Sequence, residues 1–410
     1  MKQQSVTPWR LSSGHRAWLQ QQAEELFAFF QAHAINAKGG FYELDLDGHP
    51  LRANTTRGLH STARMVHCFS IGSLLGREQA DELVDHGMRY LWERHRDGNH
   101  GGYYWALDDE GVRDASKQGY GHAFVLLAAS SAKVAGHPDA DRLIADVSEV
   151  IEARFWEEKW GAIAEEFETD WTPKPGYHGQ NSNMHMTEAL MAAYEATRDN
   201  SYLHKAERIA DLIVRRRAGE HEFRVAEHFD HRWGVDKSYS GHEMFRPSGI
   251  TPGHWAEWSR LLLQLYVLGG RTHGWMPEAA RRLFSQTVDL GWDEVNGALY
   301  YTLDWDNKPT RRNKLWWPMC EAAGAAAFLC SHLGSDYHEA WYRRIWDVID
   351  VNFIDRQRGG WHEELTEDLR PSQTLFAGKG DIYHALQACL IPLHPANGSL
   401  TQVIASGEKS

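Results

Sequence analysis

The stretch TPGHWAEWSRLL, residues 251–262, sets His254 and Glu257 three residues apart at the opening of an otherwise apolar helical pattern. Ionisable groups are costly to bury there, so they ask for a polar surrounding or a task. Other apolar stretches open in the same way: His60 with Arg64; Gln118, Tyr120 and His122; Asn181 with His185 and Glu188; Trp316 and Trp317 ahead of Glu321; and Asp381 with His384. Residues three and four apart share a helix face, so each set makes one polar patch. Imidazole titrates near neutrality and can both take and return a proton. Several histidines with one arginine and few carboxylates therefore suit removal of a proton beside a carbonyl. Two such imidazoles could open a sugar ring and move a proton between neighbouring carbons with no cofactor.

A lone histidine in an apolar helix is ordinarily a hydrogen-bonded core residue. His67 and His332, further along their helices, read that way, whereas the helix-opening histidines share a location that sets them apart. Arg64 needs an anionic or polyhydroxyl partner, or a carboxylate such as Glu257, if it is to be buried. Trp316 and Trp317 fit a core and a sugar-facing wall equally.

These openings must be positioned by the elements around them, and internal repetition supplies the frame. Six segments combine a small or glycine-rich turn with aromatic residues: KGGFYELDLDG (38–48), HGGYYWALDDEG (100–111), WGAIAEEF (160–167), HEFRVAEHF (221–229), NGALYYTLDWDNKP (296–309) and RGGWHEELTED (358–368). They recur about every sixty residues, with the longest interval around DKSYSGHEMF. After each comes an apolar helical stretch, at 62–75, 121–136, 184–197, 255–269, 320–333 and 381–393, and then a more charged one such as 138–155 or 202–217. A helix apolar all round is covered on every side, and an amphipathic one does the covering. The pattern predicts an all-α protein, an (α/α)6 barrel formed by residues 1–410 as a single domain, with short β-hairpin loops at one rim. The inner helix openings would then converge on a funnel at that rim.

Composition narrows the partners. A formal net charge of −13 argues against nucleic acid, whose binding needs clustered lysine and arginine. The basic run at 215–217 reads as a helix end. Cys68, Cys320, Cys330 and Cys389 have no CxxC spacing and fall in apolar patterns, which predicts reduced core thiols and a cytoplasmic setting. No signal-peptide core and no run of about 20 apolar residues occurs, so a membrane is not expected. His221, His228 and His231 with Glu227 lack metal-site spacing, and WDEVNG and DWDNKP lack the acidic alternation of a calcium loop, so no metal is expected.

Five segments taken together, ASKQGYGHAFVLLAAS, NSNMHMTEALMAAYEAT, RVAEHFD, TPGHWAEWSRLLL and GKGDIYHALQACLIP, resemble the N-acylglucosamine 2-epimerase superfamily, over nearly the whole chain and in colinear order. Within it the likeness is to the aldose-ketose isomerases acting on mannose and on sulfoquinovose. The resemblance implies an (α/α)6 barrel and a cofactor-independent exchange of D-mannose with D-fructose, with D-lyxose and D-xylulose as a side activity. It makes His254 and His384 the acid/base pair of a cis-enediol mechanism, with His384 as the shuttle between C2 and C1. His185, Arg64 and Glu257 would hold substrate oxygens and orient the imidazoles; His60, Tyr120, Asn181, Arg246, Trp316 and Asp381 would complete the wall. The sulfonate-recognising relatives carry glutamines near the positions of His362 and Gly380, which points away from a sulfonated sugar. A sugar 2-epimerase, a sulfoquinovose isomerase, a glycoside hydrolase using Glu165, Glu257, Glu363 or Asp381, and a non-catalytic binding protein are the alternatives. A monosaccharide is the expected partner, and the sequence leaves monomer and homo-oligomer both open.

Overall fold

The computed structural model describes residues 8–407 apart from 52–55, 175, 242, 243 and 245. Its first long helix is α1 (Ser13–His33). Pairs follow: α2 (Leu59–Leu74) with α3 (Ala80–Tyr90), α4 (Gly119–Val134) with α5 (Ala140–Val150), α6 (Gln180–Thr197) with α7 (Asn200–Ala210), α8 (Pro252–Leu268) with α9 (Trp275–Gly291), and α10 (Trp316–Leu333) with α11 (Asp336–Val348). Then come α12 (Tyr383–Leu390), which packs on α1, and the terminal α13 (Leu400–Ser406). The protein is mostly helical, with short two- and three-residue strands and no closed sheet among the described residues.

The first helix of each pair is covered on all sides. In α10 every residue from Trp316 to Cys330 is buried, as its alanine-rich sequence demands. The second helix buries one stripe: α3 hides Leu83, Val84, Gly87 and Met88 and leaves Asp81, Glu82 and Arg89 to solvent. The covered helices touch in sequence, α2 on α4, α4 on α6, α6 on α8, α8 on α10 and α10 on α12, and α12 returns to α2.

A second set of contacts runs around one rim. The residues just ahead of each covered helix pair antiparallel with the hairpin of the following repeat: Arg57–Gly58 with Ala106–Leu107, Lys117–Gln118 with Glu166–Phe167, His178–Gly179 with His228–Phe229, Ile250 with Leu303, and Lys314–Leu315 with Glu364–Leu365. Lys379 closes the series on Leu44 of the first hairpin. These strands fix where each covered helix begins.

Buried ion pairs pin the same rim. Lys117 meets Asp97 at 2.8 Å, Lys314 meets Asp293 at 3.0 Å and Lys379 meets Asp355 at 3.1 Å. Each aspartate also accepts backbone N–H groups of its own turn, as Asp293 does from Val295 and Asn296. The acid of WDEVNG thus belongs to a lysine and a turn. Burial opposes ionisation of Asp97 and Asp293, yet the lysine and the turn amides hold both carboxyls below the usual aspartate range. Cys68, Cys320, Cys330 and Cys389 are buried and unpaired, as the sequence predicts. Among the described residues no helix is long and apolar enough to cross a membrane.

Candidate active site

The first turns of the covered helices surround a cavity of about 380 Å³. Helix α2 supplies His60 and Arg64, α4 Tyr120, α6 Asn181 and His185, α8 His254 and Glu257, α10 Trp316 and Trp317, α12 His384, and the turn ahead of α12 Asp381. Ten of the eleven residues expected from the sequence therefore line one space. Arg246 does not join them. It borders an adjoining hollow of about 260 Å³ that shares Tyr120 and Asn181 with the main cavity. There its guanidinium lies over Tyr177 and pairs with Glu165 at 3.3 Å and Glu166 at 3.1 Å. Gln118 borders the same hollow, while His122 is core, accepting from the Tyr103 N–H through Nε2.

His254 and His384 are held alike. Nδ1 of His254 lies 2.9 and 3.0 Å from the two oxygens of Glu227, and Nδ1 of His384 lies 2.8 Å from Glu321. With Nδ1–H donating to a carboxylate, Nε2 is the nitrogen left for the cavity. Trp317 stands against both rings, 4.8 Å from His254 and 6.0 Å from His384 between centroids, so it belongs to the wall as much as Trp316 does. Burial lowers the His384 pKa despite Glu321, with the Arg64 charge acting in the same direction.

Arg64 finds Asp381, not Glu257. Its Nη1 donates to Asp381 at 2.8 Å, its Nη2 to the Tyr120 hydroxyl at 2.7 Å, and its guanidinium faces Phe124 and Tyr383. Asp381 in turn accepts the N–H of Tyr383, the first residue of α12, at 2.9 Å. Arg64 is thereby aimed by a carboxylate and a phenol instead of by the glutamate beside His254.

Glu257 has a different setting. It is fully buried, neither carboxyl oxygen has a hydrogen-bond partner among the described residues, and burial together with Glu321 and Glu188 pushes its pKa well above the usual carboxylate range. His185 lies between it and Glu188, at 3.7 and 3.5 Å, and burial lowers its pKa to about 4. His60 stacks on Trp105 at 4.9 Å and is lowered to about 3, by burial first and then by Arg64.

Glu43 and Glu363 also face the cavity, and burial raises both their pKa values. Glu363 receives the Gly380 N–H, so Gly380 and Glu363 shape this wall. His362 points elsewhere, toward Asp355.

Donor atoms of His185, Glu188 and Glu257 lie within 4.8 Å of one another, the one group among the described residues that gathers three potential metal ligands. A cation already sits beside these carboxyls: Arg260 is 3.7 Å from Glu188 and 3.9 Å from Glu257. The histidines at 221, 228 and 231 do not gather around Glu227, which turns inward to His254, while His228 bonds Tyr177 and the Pro247 carbonyl. Sequence spacing does not reach the partnership of Glu227 with His254, because rim strands bring them together across 27 positions. Arg260 was within reach: it stands three residues after Glu257 on the same helix face.

The family model described as N-acylglucosamine 2-epimerase (GlcNAc 2-epimerase) matches residues 39–388. A D-mannose isomerase of Pseudomonas cannabina pv. alisalensis is 42% identical over 98% of this chain and 98% of its own length. One of Thermobifida fusca is 40% identical over 98% of this chain and its whole length. A crystal structure of a D-mannose isomerase superposes with a TM-score of 0.87 at 32% identity, covering 92% of this chain and 97% of the other.

Proposed function

The chain belongs to the N-acylglucosamine 2-epimerase family, and from that premise we propose that it is an aldose-ketose isomerase interconverting D-mannose and D-fructose. The observation that carries the reading is the pair of imidazoles at 254 and 384, each backed at Nδ1 by a buried carboxylate and both lining one cavity. Relatives sharing two fifths of the sequence over nearly its full length are D-mannose isomerases, which supports this substrate. We infer as well that the cyclic order of helix contacts and rim pairings forms one (α/α)6 barrel and one domain.

In this mechanism His254 moves the proton that opens the pyranose ring. Nε2 of His384 then takes the C2 proton of the open aldose. Protonation of O1 gives the cis-enediol. The O2 proton then leaves as C2 becomes the carbonyl and His384 returns the carbon-bound proton to C1, so one proton has moved from C2 to C1, one has left O2 as one joined O1, and nothing is gained or lost. Arg64, fixed by Asp381 and Tyr120, faces the oxygen that becomes negative. His60, His185, Asn181 and Trp316 contact the sugar, and Arg246 acts from the adjoining hollow. Glu43, Glu363 and Asp381 share the wall with Arg64, already paired, which favours a neutral hexose over a sulfonated or phosphorylated one.

The test is proton NMR of mannose, lyxose, glucose, cellobiose and sulfoquinovose with the protein in heavy water. Fructose from mannose, with deuterium entering at the transferred position, is expected. Glucose from mannose without fructose would replace the isomerase by a 2-epimerase returning the proton to the opposite face of C2. New reducing ends from cellobiose would indicate a hydrolase.

A further inference from the structure

Beneath the cavity one guanidinium serves three buried carboxyls. Arg260 of α8 donates to Glu321 Oε2 from Nε at 3.2 Å and from Nη2 at 3.0 Å, with Glu188 and Glu257 within 4 Å of Nη2. The other oxygen of Glu321 is the one that His384 reaches. Glu321 is thus divided between an imidazole and a permanent cation. Glu227, behind His254, is not: its further side-chain bond comes from the neutral Gln180 amide at 3.0 Å, itself held by the Trp258 indole N–H at 2.8 Å.

A carboxylate stabilises a neighbouring imidazolium, and a cation on the far side of that carboxylate weakens the effect. We propose that Arg260 is the positioning residue that makes the two imidazoles unequal: it draws the charge of Glu321 away from His384, leaving His384 the neutral base, while Glu227 behind His254 has no such cation to share. This rests on the acid/base reading of the pair given above. The other groups facing His384 are Arg64 from α2, His185 from α6, Glu257 from α8, the preceding Asp381, the adjacent Tyr383 and the rings of Trp316 and Trp317. Arg64 opposes a charge on His384, whereas Asp381 and Glu321 favour it. Arg260 decides how much of Glu321 is felt.

The experiment is an NMR titration of carbon-13-labelled histidine in the wild type, Arg260→Lys and Arg260→Met, with the His384 signal assigned by its loss in His384→Asn. The pH dependence of kcat/KM is measured on the same samples. Arg260→Met should move the His384 titration upward by about one pH unit and carry the acid limb of kcat/KM with it, since the base must be neutral to act. Arg260→Lys keeps the charge but loses the two-bond fork, and a smaller rise is expected. An unmoved His384 titration in folded Arg260→Met overturns the proposal and leaves Arg260 a packing residue. If the methionine variant does not fold, Arg260→Lys decides, a titration identical to wild type being the contrary result. A titration that moves while the rate profile stays put supports the effect of Arg260 and instead removes His384 from the position of base.

Discussion

Rim and cavity floor both bury charge, and they do so by opposite arithmetic. At the rim each lysine, Lys117, Lys314 or Lys379, has its own aspartate, whose remaining valences go to turn amides. At the floor one arginine is surrounded by Glu188, Glu257 and Glu321, and among the described residues the oxygens of Glu257 have no hydrogen-bond donor. Matched pairs fix geometry and leave nothing to react. A surplus of acid keeps a proton in the site and makes neighbouring imidazoles sensitive to it. The first arrangement serves the fold, and the second suits proton transfer.

Substitution at the two places should therefore damage different quantities. His384→Ala and His254→Ala are each expected to lower kcat by at least about 10²-fold, the lower range for a general acid or base, with the unfolding midpoint little changed. Near-normal turnover in either variant would take that histidine out of the proton path. Lys314→Met at the rim leaves Asp293 buried without its cation and should cost about 3–5 kcal/mol in urea unfolding. The protein that remains folded should turn over substrate within a few-fold of wild type. A large kinetic loss with intact stability would erase the distinction between rim and floor.

Acid sharpens the same contrast. Asp97 and Asp293 have pKa values depressed below the 3.8 of an ordinary aspartate, so they contribute stability that is complete above that value. The contribution is withdrawn as pH falls below it through the lower folded values. The urea midpoint of the wild type should drop steeply below about pH 4, and part of that drop should be missing in Lys314→Met, whose Asp293 has lost its partner. Parallel curves for the two proteins would show that the rim pair does not govern acid stability.

How far the sequence reveals this molecule depends on which face a residue occupies. Apolar periodicity locates all the covered helices, yet it begins at 62, 121, 184, 255 and 320 where the helices begin at Leu59, Gly119, Gln180, Pro252 and Trp316. The missing turn is the polar one that faces the cavity, so the signal for burial starts late where the site begins. At α12 the error has the other sign: Asp381, read as helical, lies two residues ahead of the helix, its carboxyl accepting the Tyr383 N–H. Outer helices read as continuous, such as 138–155, are shorter α-helices ending in a wider π turn, Ile151–Phe155 in that case. Residues reaching the cavity from loops, Glu43, Met244, Tyr301 and Glu363 among them, carry no periodic signal. Local spacing finds what one helix places together, and Glu227, delivered by strand pairing, lies beyond it.

Glu257 offers the finest cut between matched and surplus charge, because its expected effect is the smallest. If the Arg260 charge is spent on Glu188 and Glu321, Glu257 remains a neutral acid, as its burial and the two neighbouring carboxyls require. Glutamine then replaces it with a group of the same shape and charge. Glu257→Gln should lose less than about tenfold in kcat/KM, well short of the histidine variants. Glu257→Ala should lose more, since it removes the donor along with the carboxyl and leaves a void beside His185. A glutamine variant as impaired as His384→Ala would mean that the ionised carboxylate takes part in the chemistry, and the floor would then carry one more negative charge than a single arginine can balance.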